Sequence, residues 1–200
     1  MPETMDLEFA ELYGALLGDG CLYSNMNGFC ITGNLELDGQ YIRHLQSLSL
    51  SLLCIEPSIH FLEEESVVRL ILNSKKVAAY LEEKNFPIGE KKSQEINVPD
   101  RLYEEKYLRA VVRGLFDTDG GIYANPNSGI MMDITTKNTS LLDFLDDSAT
   151  QLDLPLNRTR IEFSFMERKR WMSSCVRSAA ATLAILKGIS TTRRMLKHLS

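Results

Sequence analysis

The chain lacks the spacings that mark a metal-binding or disulfide-built domain. Its four cysteines, Cys21, Cys30, Cys54 and Cys175, contain no Cys-x-x-Cys pair, and its three histidines, His44, His60 and His198, are scattered. A zinc site is therefore not expected, and reduced, buried thiols are the plain reading. No apolar run approaches the roughly 18 residues that a membrane span needs. The opening stretch MPETMDLEFAELYG has no basic flank of a targeting peptide. A soluble chain without a membrane partner is expected, cytoplasmic unless it is carried to an organelle. Positive charge is also short, with Lys and Arg at 22 against 27 Asp and Glu for a net of -5. Taken alone, that balance argues against a nucleic-acid binder.

The average conceals a split. Residues 1–100 carry 7 basic against 16 acidic side chains, whereas residues 101–200 carry 15 against 11. A polyanion should prefer the second half. Composition is otherwise that of a globular protein, 44% hydrophobic and 24% charged over 200 residues, enough for one domain or two small ones.

An internal repeat organises the chain. AVVRGLFDTDGGIYANPN at 110–127 lies over AELYGALLGDGCLYSNMN at 10–27. Gly14 meets Gly114, Asp19 meets Asp119, and Tyr23, Asn25 and Asn27 meet Tyr123, Asn125 and Asn127. Periodicity gives the same elements in each copy. In the first half these are helix 6–18, strands 21–26 and 28–34, helix 38–53, strands 57–63 and 66–74, and helix 75–85. In the second they are helix 105–118, strands 121–126 and 129–136, helix 139–152, strands 157–165 and 170–177, and helix 178–188.

The fold class expected is α+β, two pseudo-symmetric α-β-β-α-β-β-α halves with antiparallel sheets. The first half spans 1–86 and the second 105–200, joined by a Pro- and Gly-punctuated linker at 87–104. Ile42, Leu45, Leu48 and Leu52, and again Leu142, Leu145, Ala149 and Leu152, form apolar helix stripes suited to covering one side of each sheet.

The segment LYGALLGDG at 12–20 places its only charge, Asp19, at a helix C-terminus. The carbonyl end of a helix carries about half a negative charge, so a carboxylate there calls for a cation. Gly14 and Gly18, like Gly114 and Thr118, stand four apart and make a flat stripe on which another helix backbone can lie. Packed against each other, the two helices would bring Asp19 and Asp119 together. Two carboxylates about 5 Å apart repel by roughly 3 kcal/mol at an effective dielectric near 20. Oxygen-only ligands suit a hard divalent ion such as Mg²⁺ or Mn²⁺, and carboxylate-held metal beside a phosphodiester is the chemistry of strand cleavage.

These residues resemble the two motifs of a single-chain LAGLIDADG homing endonuclease, with LYGALLGDG and VRGLFDTDG as the copies and the repeat covering nearly the whole chain. The resemblance implies motif helices at the interface of the halves, sheets forming a saddle over double-stranded DNA, and cutting of both strands of a long, nearly asymmetric site by a monomer. It implies that Asp19 and Asp119 bind divalent metal with the carbonyls of Gly18 and Thr118, with Ca²⁺ as a non-cleaving substitute. Basic side chains from the sheets would complete the site, for which Lys75 or Lys76, Lys137 and Arg177 are the candidates. The first motif departs from the second by carrying Leu17 where Asp117 stands.

Strand parity then sets a reading surface. Half one offers Tyr23, Asn25, Asn27, Thr32, Asn34 and Arg69; half two offers Tyr123, Asn125, Asn127, Asp133, Thr135, Lys137, Arg158, Arg160 and Arg177. Arg168, Lys169, Arg170 and Trp171 in ERKRW stand as either a hairpin tip in solvent or phosphate contacts. Asn and Arg pair bidentately with adenine and guanine. Half one holds few cations and an acidic EEES tip at 63–66, so binding should be led by half two. The alternatives are a non-cleaving relative, either an intron RNA maturase or a DNA-binding regulator, and a plain interaction domain.

Overall fold

The structure, a computed structural model, describes residues 6–125, 129–154, 156–158 and 162–166, with side chains for 6–122 and 133–154. Helix α1 (Leu7–Leu17) starts at an Asp6 cap whose carboxylate accepts from the Phe9 amide. Strands β1 (Gly20–Leu22) and β2 (Gly28–Asn34), helix α2 (Gly39–Leu53), strands β3 (Ser58–Leu62) and β4 (Val67–Asn73) and helix α3 (Lys75–Glu83) complete the first half. The second half repeats that order as far as it is described, with α4 (Glu105–Asp119), β5 (Gly120–Asn125), β6 (Gly129–Thr135), α5 (Thr139–Gln151), β7 (Leu156–Arg158) and β8 (Glu162–Met166), and the expected strand 170–177 and helix 178–188 lie outside the described residues. Each half builds an antiparallel four-stranded sheet, ordered β1-β2-β4-β3 and β5-β6-β8-β7.

Alternation separates the two faces of the first sheet. In β4, Val68, Leu70 and Leu72 are buried while Arg69 and Asn73 are exposed. The buried face receives Ile42, Leu45 and Leu48 of α2, with Leu52 partly covered, and in the second half Leu142, Leu145, Ala149 and Leu152 are buried as the apolar stripe requires.

The two motif helices pack on each other at close range. A Cβ placed on Gly14 would fall 2.0 Å from the Val111 carbonyl oxygen, and one on Gly114 would fall 2.2 Å from that of Glu11. Each glycine thus admits the backbone of the opposite helix, which is why no larger residue serves there.

Two local expectations are corrected. β1 stops at Leu22, so Tyr23, Asn25 and Asn27 lie in a turn rather than on a strand. The Tyr23 amide donates to the Gly28 carbonyl at 2.9 Å, Met26 takes a φ of 55°, and Asn25 Oδ1 accepts from the Asn27 amide at 3.1 Å. Asx chemistry closes the turn before the strand can extend. The expected strand 157–165 is instead two antiparallel strands, β7 and β8, with Arg158 facing Phe163. β7 and β8 thus run antiparallel as separate strands, and ERKRW lies outside the described residues. Apolar alternation runs only over Ile161, Phe163 and Phe165, and the polar stretch Asn157 to Arg160 carries no turn signal; pairing of β8 with β6, a non-local contact, decides the break.

Candidate metal centre at the paired helix ends

The close helix contact at Gly14 and Gly114 sets the ends of α1 and α4 side by side. There the Asp19 and Asp119 carboxyls hydrogen-bond each other. Asp19 is exposed as a residue, yet its carboxyl is pushed up to about 7, first by desolvation and then by the charge of Asp119. Desolvation raises Asp119 as well. Two acids that share a proton in this way are a site short of positive charge.

A cation from the linker partly answers it. α1 has no basic residue in its last turn. Lys91 reaches in instead, donating from Nζ to the carbonyls of Leu16 and Leu17 at 2.7 Å each and of Gly18 at 2.5 Å. Three carbonyls left open by the end of the helix are thereby satisfied. Burial pulls the Lys91 ammonium down to about 8, against the opposing pull of Asp119 and Asp19.

The linker is held firmly enough to place this lysine. Buried Asn138, at the start of α5, donates from Nδ2 to the carbonyls of Lys91 at 2.5 Å and Gln94 at 2.9 Å, while its Oδ1 accepts from the Leu141 amide at 2.9 Å. Ser140 Oγ donates to the Ile96 carbonyl at 3.1 Å and accepts from the Ile96 amide at 3.0 Å. The segment read as a passive connector thus ties the second half to the end of the first motif helix.

The donor set fits a hard divalent ion in its carboxylates: two acids, no imidazole, and backbone oxygens beside them. Among the described residues no three His, Cys, Asp or Glu side chains group as a metal cage. Gly18 offers its carbonyl but already receives Lys91 there, leaving one lone pair. Half-buried Thr118 spends its hydroxyl on the Gly114 and Leu115 carbonyls at 3.2 and 3.0 Å.

Other expected site residues are distributed unevenly. Exposed Lys137 lies two residues past Thr135, at the end of β6 where the sheet register leads back to Asp119. Lys75 begins α3 just beyond Asn73, which pairs with Gly28 at the far end of the sheet from Asp19; Lys76 follows it. The structure thus separates Lys75 and Lys76 from the acids and puts Lys91 there.

Thr32 sits at the acid end, its amide donating to the Asp19 carbonyl at 3.2 Å. Arg69, its register partner, is exposed and ion-paired with Glu65 at 3.9 Å. Asn34 Oδ1 is committed to the Glu36 and Leu37 amides at 3.0 and 3.1 Å. Asp133 is half-buried opposite Gly121, and Thr135 is exposed. Tyr123, Asn125 and Arg158 lie in strands described by backbone alone. Asn127, Arg160, Arg168, Lys169, Arg170, Trp171 and Arg177 lie outside the described residues.

Behind the acids a buried ionic group joins the two motif helices. Glu11 of α1, 4% exposed, pairs with Arg113 of α4 and receives His44 Nε2 at 2.9 Å. Asp117, buried, adds its charge to Arg113. This accounts for the difference between motifs: Asp117 serves the inter-helix ion group, and Leu17 is core at the matching place.

Fold and site together define a class: a two-sheet α+β protein whose paired helices end in paired acids. Residues 106–162 match the family model of the LAGLIDADG-like domain. The structure of I-DmoI in complex with DNA and Ca is similar over 86% of this chain and 87% of that one, with a TM-score of 0.53 at 16% identity. The N-terminal LAGLIDADG domain of DUF199/WhiA is similar over 98% of this chain and 89% of its own, with a TM-score of 0.54 at 14% identity. Full-length DUF199/WhiA from Thermatoga maritima gives the same TM-score of 0.54 and identity of 14%, this chain spanning 60% of it. No curated protein matches the sequence. Residues 106–162 thus carry a LAGLIDADG-like domain match, and the chain as described has the fold of these LAGLIDADG structures. No helix of the described residues is long and apolar enough to cross a membrane.

Proposed function

We propose that the protein is a divalent-metal-dependent DNA endonuclease that hydrolyses both strands of a long, nearly asymmetric double-stranded target. The observation that supports this best is the hydrogen-bonded pair Asp19 and Asp119 at the ends of two helices packed glycine to backbone. These carboxylates, with the carbonyls of Gly18 and Thr118, are the groups that would hold Mg²⁺ or Mn²⁺. A bound ion supplies Lewis-acid activation of the phosphodiester and of the attacking water.

The chain's own residues supply the rest. Lys91 brings an ammonium to the acid end and orders the last turn of α1; Lys137 is the second cation at that end. Thr32, Arg69, Asp133 and Thr135 present polar groups along the sheets toward base edges and phosphates, joined in the sequence by Tyr123, Asn125 and Arg158. The I-DmoI structure in complex with DNA and Ca supports the substrate class for this fold.

A second reading is a member of the same family that binds DNA or RNA without cutting it. The engagement of the Gly18 carbonyl by Lys91 favours it, because that oxygen is one the metal would use. The deciding experiment is cleavage-site selection on a randomised plasmid library with Mg²⁺, comparing wild type with Asp19→Asn and Asp119→Asn. The endonuclease reading requires a discrete cut site lost in both variants. Salt-sensitive binding with no cutting at any metal concentration establishes the second reading instead.

A further inference from the structure

We propose that Cys21 and Cys30 form a reversible intramolecular disulfide across β1 and β2, a redox modification site on the open face of the first sheet. The two residues are direct register partners, and both are half-buried rather than sealed in the core. The Thr32 amide donates to the Asp19 carbonyl at 3.2 Å and the Tyr23 amide to the Gly28 carbonyl at 2.9 Å, marking 19/32 and 23/28 as hydrogen-bonded pairs. Alternation along the ladder makes 21/30 such a pair too, with Cα atoms about 5.5 Å apart. A disulfide spans about 4.4–6.8 Å between Cα atoms.

The Cβ atoms of a hydrogen-bonded pair stand nearer about 5.5 Å, wider than the about 4 Å of a relaxed disulfide. Closing the bond therefore draws β1 toward β2 under strain, and strained disulfides are the readily reduced ones. The site is a reversible one for that reason. Cys21 also donates from Sγ to the Gly89 carbonyl at 3.6 Å, and Gly89 sits at a φ of +75° two residues before Lys91. Oxidation removes that S–H donor and loosens the loop carrying Lys91.

A peroxide is the oxidant class that balances the step. One sulfur attacks a peroxide oxygen, forming S–O as O–O breaks and an alcohol or water leaves. The second sulfur then displaces that oxygen, forming S–S as S–O breaks and water leaves. Two electrons pass from the thiols to the peroxide, and both thiol protons end in the released hydroxyl compounds.

The linkage stands on strand register and is independent of the cleavage reading. Its test treats the folded chain with hydrogen peroxide, alkylates remaining thiols, and maps peptides by mass. No Lys or Arg precedes Arg43, so trypsin leaves both cysteines in one peptide, 1–43, and chymotrypsin after Tyr23 is needed to separate them. The expected result is peptide 1–43 lighter by two hydrogens and closed to alkylation, chymotryptic fragments joined through Cys21 and Cys30, and full recovery of both thiols with dithiothreitol. Repeating it on Cys54→Ser/Cys175→Ser protein should leave the result unchanged. Cys21 and Cys30 that stay alkylatable, pair with Cys54 or Cys175, or advance singly to sulfinic acid would overturn the proposal.

Discussion

The Lys91 ammonium donates to the Gly18 carbonyl oxygen at 2.5 Å, so a linker residue closes the helix that ends in Asp19. Replacing Lys91 by Met keeps the stem and removes the charge. Three helix-end carbonyls then turn to water, and Asp19 and Asp119 lose the Lys91 charge that draws both carboxyls down. A loss of about 1–3 kcal/mol in urea unfolding is expected, in the range of charge-assisted hydrogen bonds. If nuclease activity is established, cutting should fall by at least tenfold beyond what the stability loss explains.

The acid pair makes metal-free stability depend on pH. A carboxyl whose folded-state pKa stands above its unfolded value of about 3.9 contributes fully below that value and loses its contribution as pH climbs. For Asp19 the loss should run up to about pH 7. In EDTA the wild-type melting temperature should therefore fall between pH 5 and 8, by a margin greater than in Asp19→Asn. At pH 8 the variant should be the more stable protein. Adding Mn²⁺ at pH 8 should raise the melting temperature of wild type and leave Asp19→Asn unmoved. Parallel pH curves for the two proteins would show that the acids are not coupled.

Gly14→Ala sets two effects against each other. Alanine gains about 1 kcal/mol in helix propensity. Its methyl carbon would stand 2.0 Å from the Val111 carbonyl oxygen, a backbone atom that cannot swing away. Overpacking of about 1–3 kcal/mol plus forced separation of the helices should win. Urea unfolding should show net destabilisation, and Gly114→Ala should behave alike.

Arg113→Leu leaves buried Glu11 with His44 as its remaining partner. Breaking a buried pair outright costs about 3–5 kcal/mol, and the His44 contact should hold the loss toward the lower end. Restoring neutrality with Glu11→Gln in the same chain should recover much of that loss. Urea unfolding of the two single variants and the double gives the coupling; additive losses would mean that the pair is not a unit.

The aspartates and glycines were legible because a repeat displays them twice, and two copies of a helix ending in an acid admit few packings. Lys91 was less legible. Its signal was the unanswered charge at the end of α1, together with the basic pair after Gly89, but nothing in the linker's composition says which loop folds under which helix. Glu11 and Arg113 left a fainter trace: polar residues on a helix otherwise buried, as Ala10 and Leu12 flank Glu11.

By itself the sequence determined the α-β-β-α-β-β-α order of the first half, the apolar stripes of α2 and α5, and the meeting of the two glycine-bearing helices, since each rests on local periodicity or on repetition. Only the tertiary structure decided that β1 ends at Leu22, that β7 and β8 are separate antiparallel strands, that Asn138 anchors the linker and that Lys91 lies on Gly18. Those outcomes depend on contacts between residues far apart in the chain, and the pattern within a single segment holds no record of them.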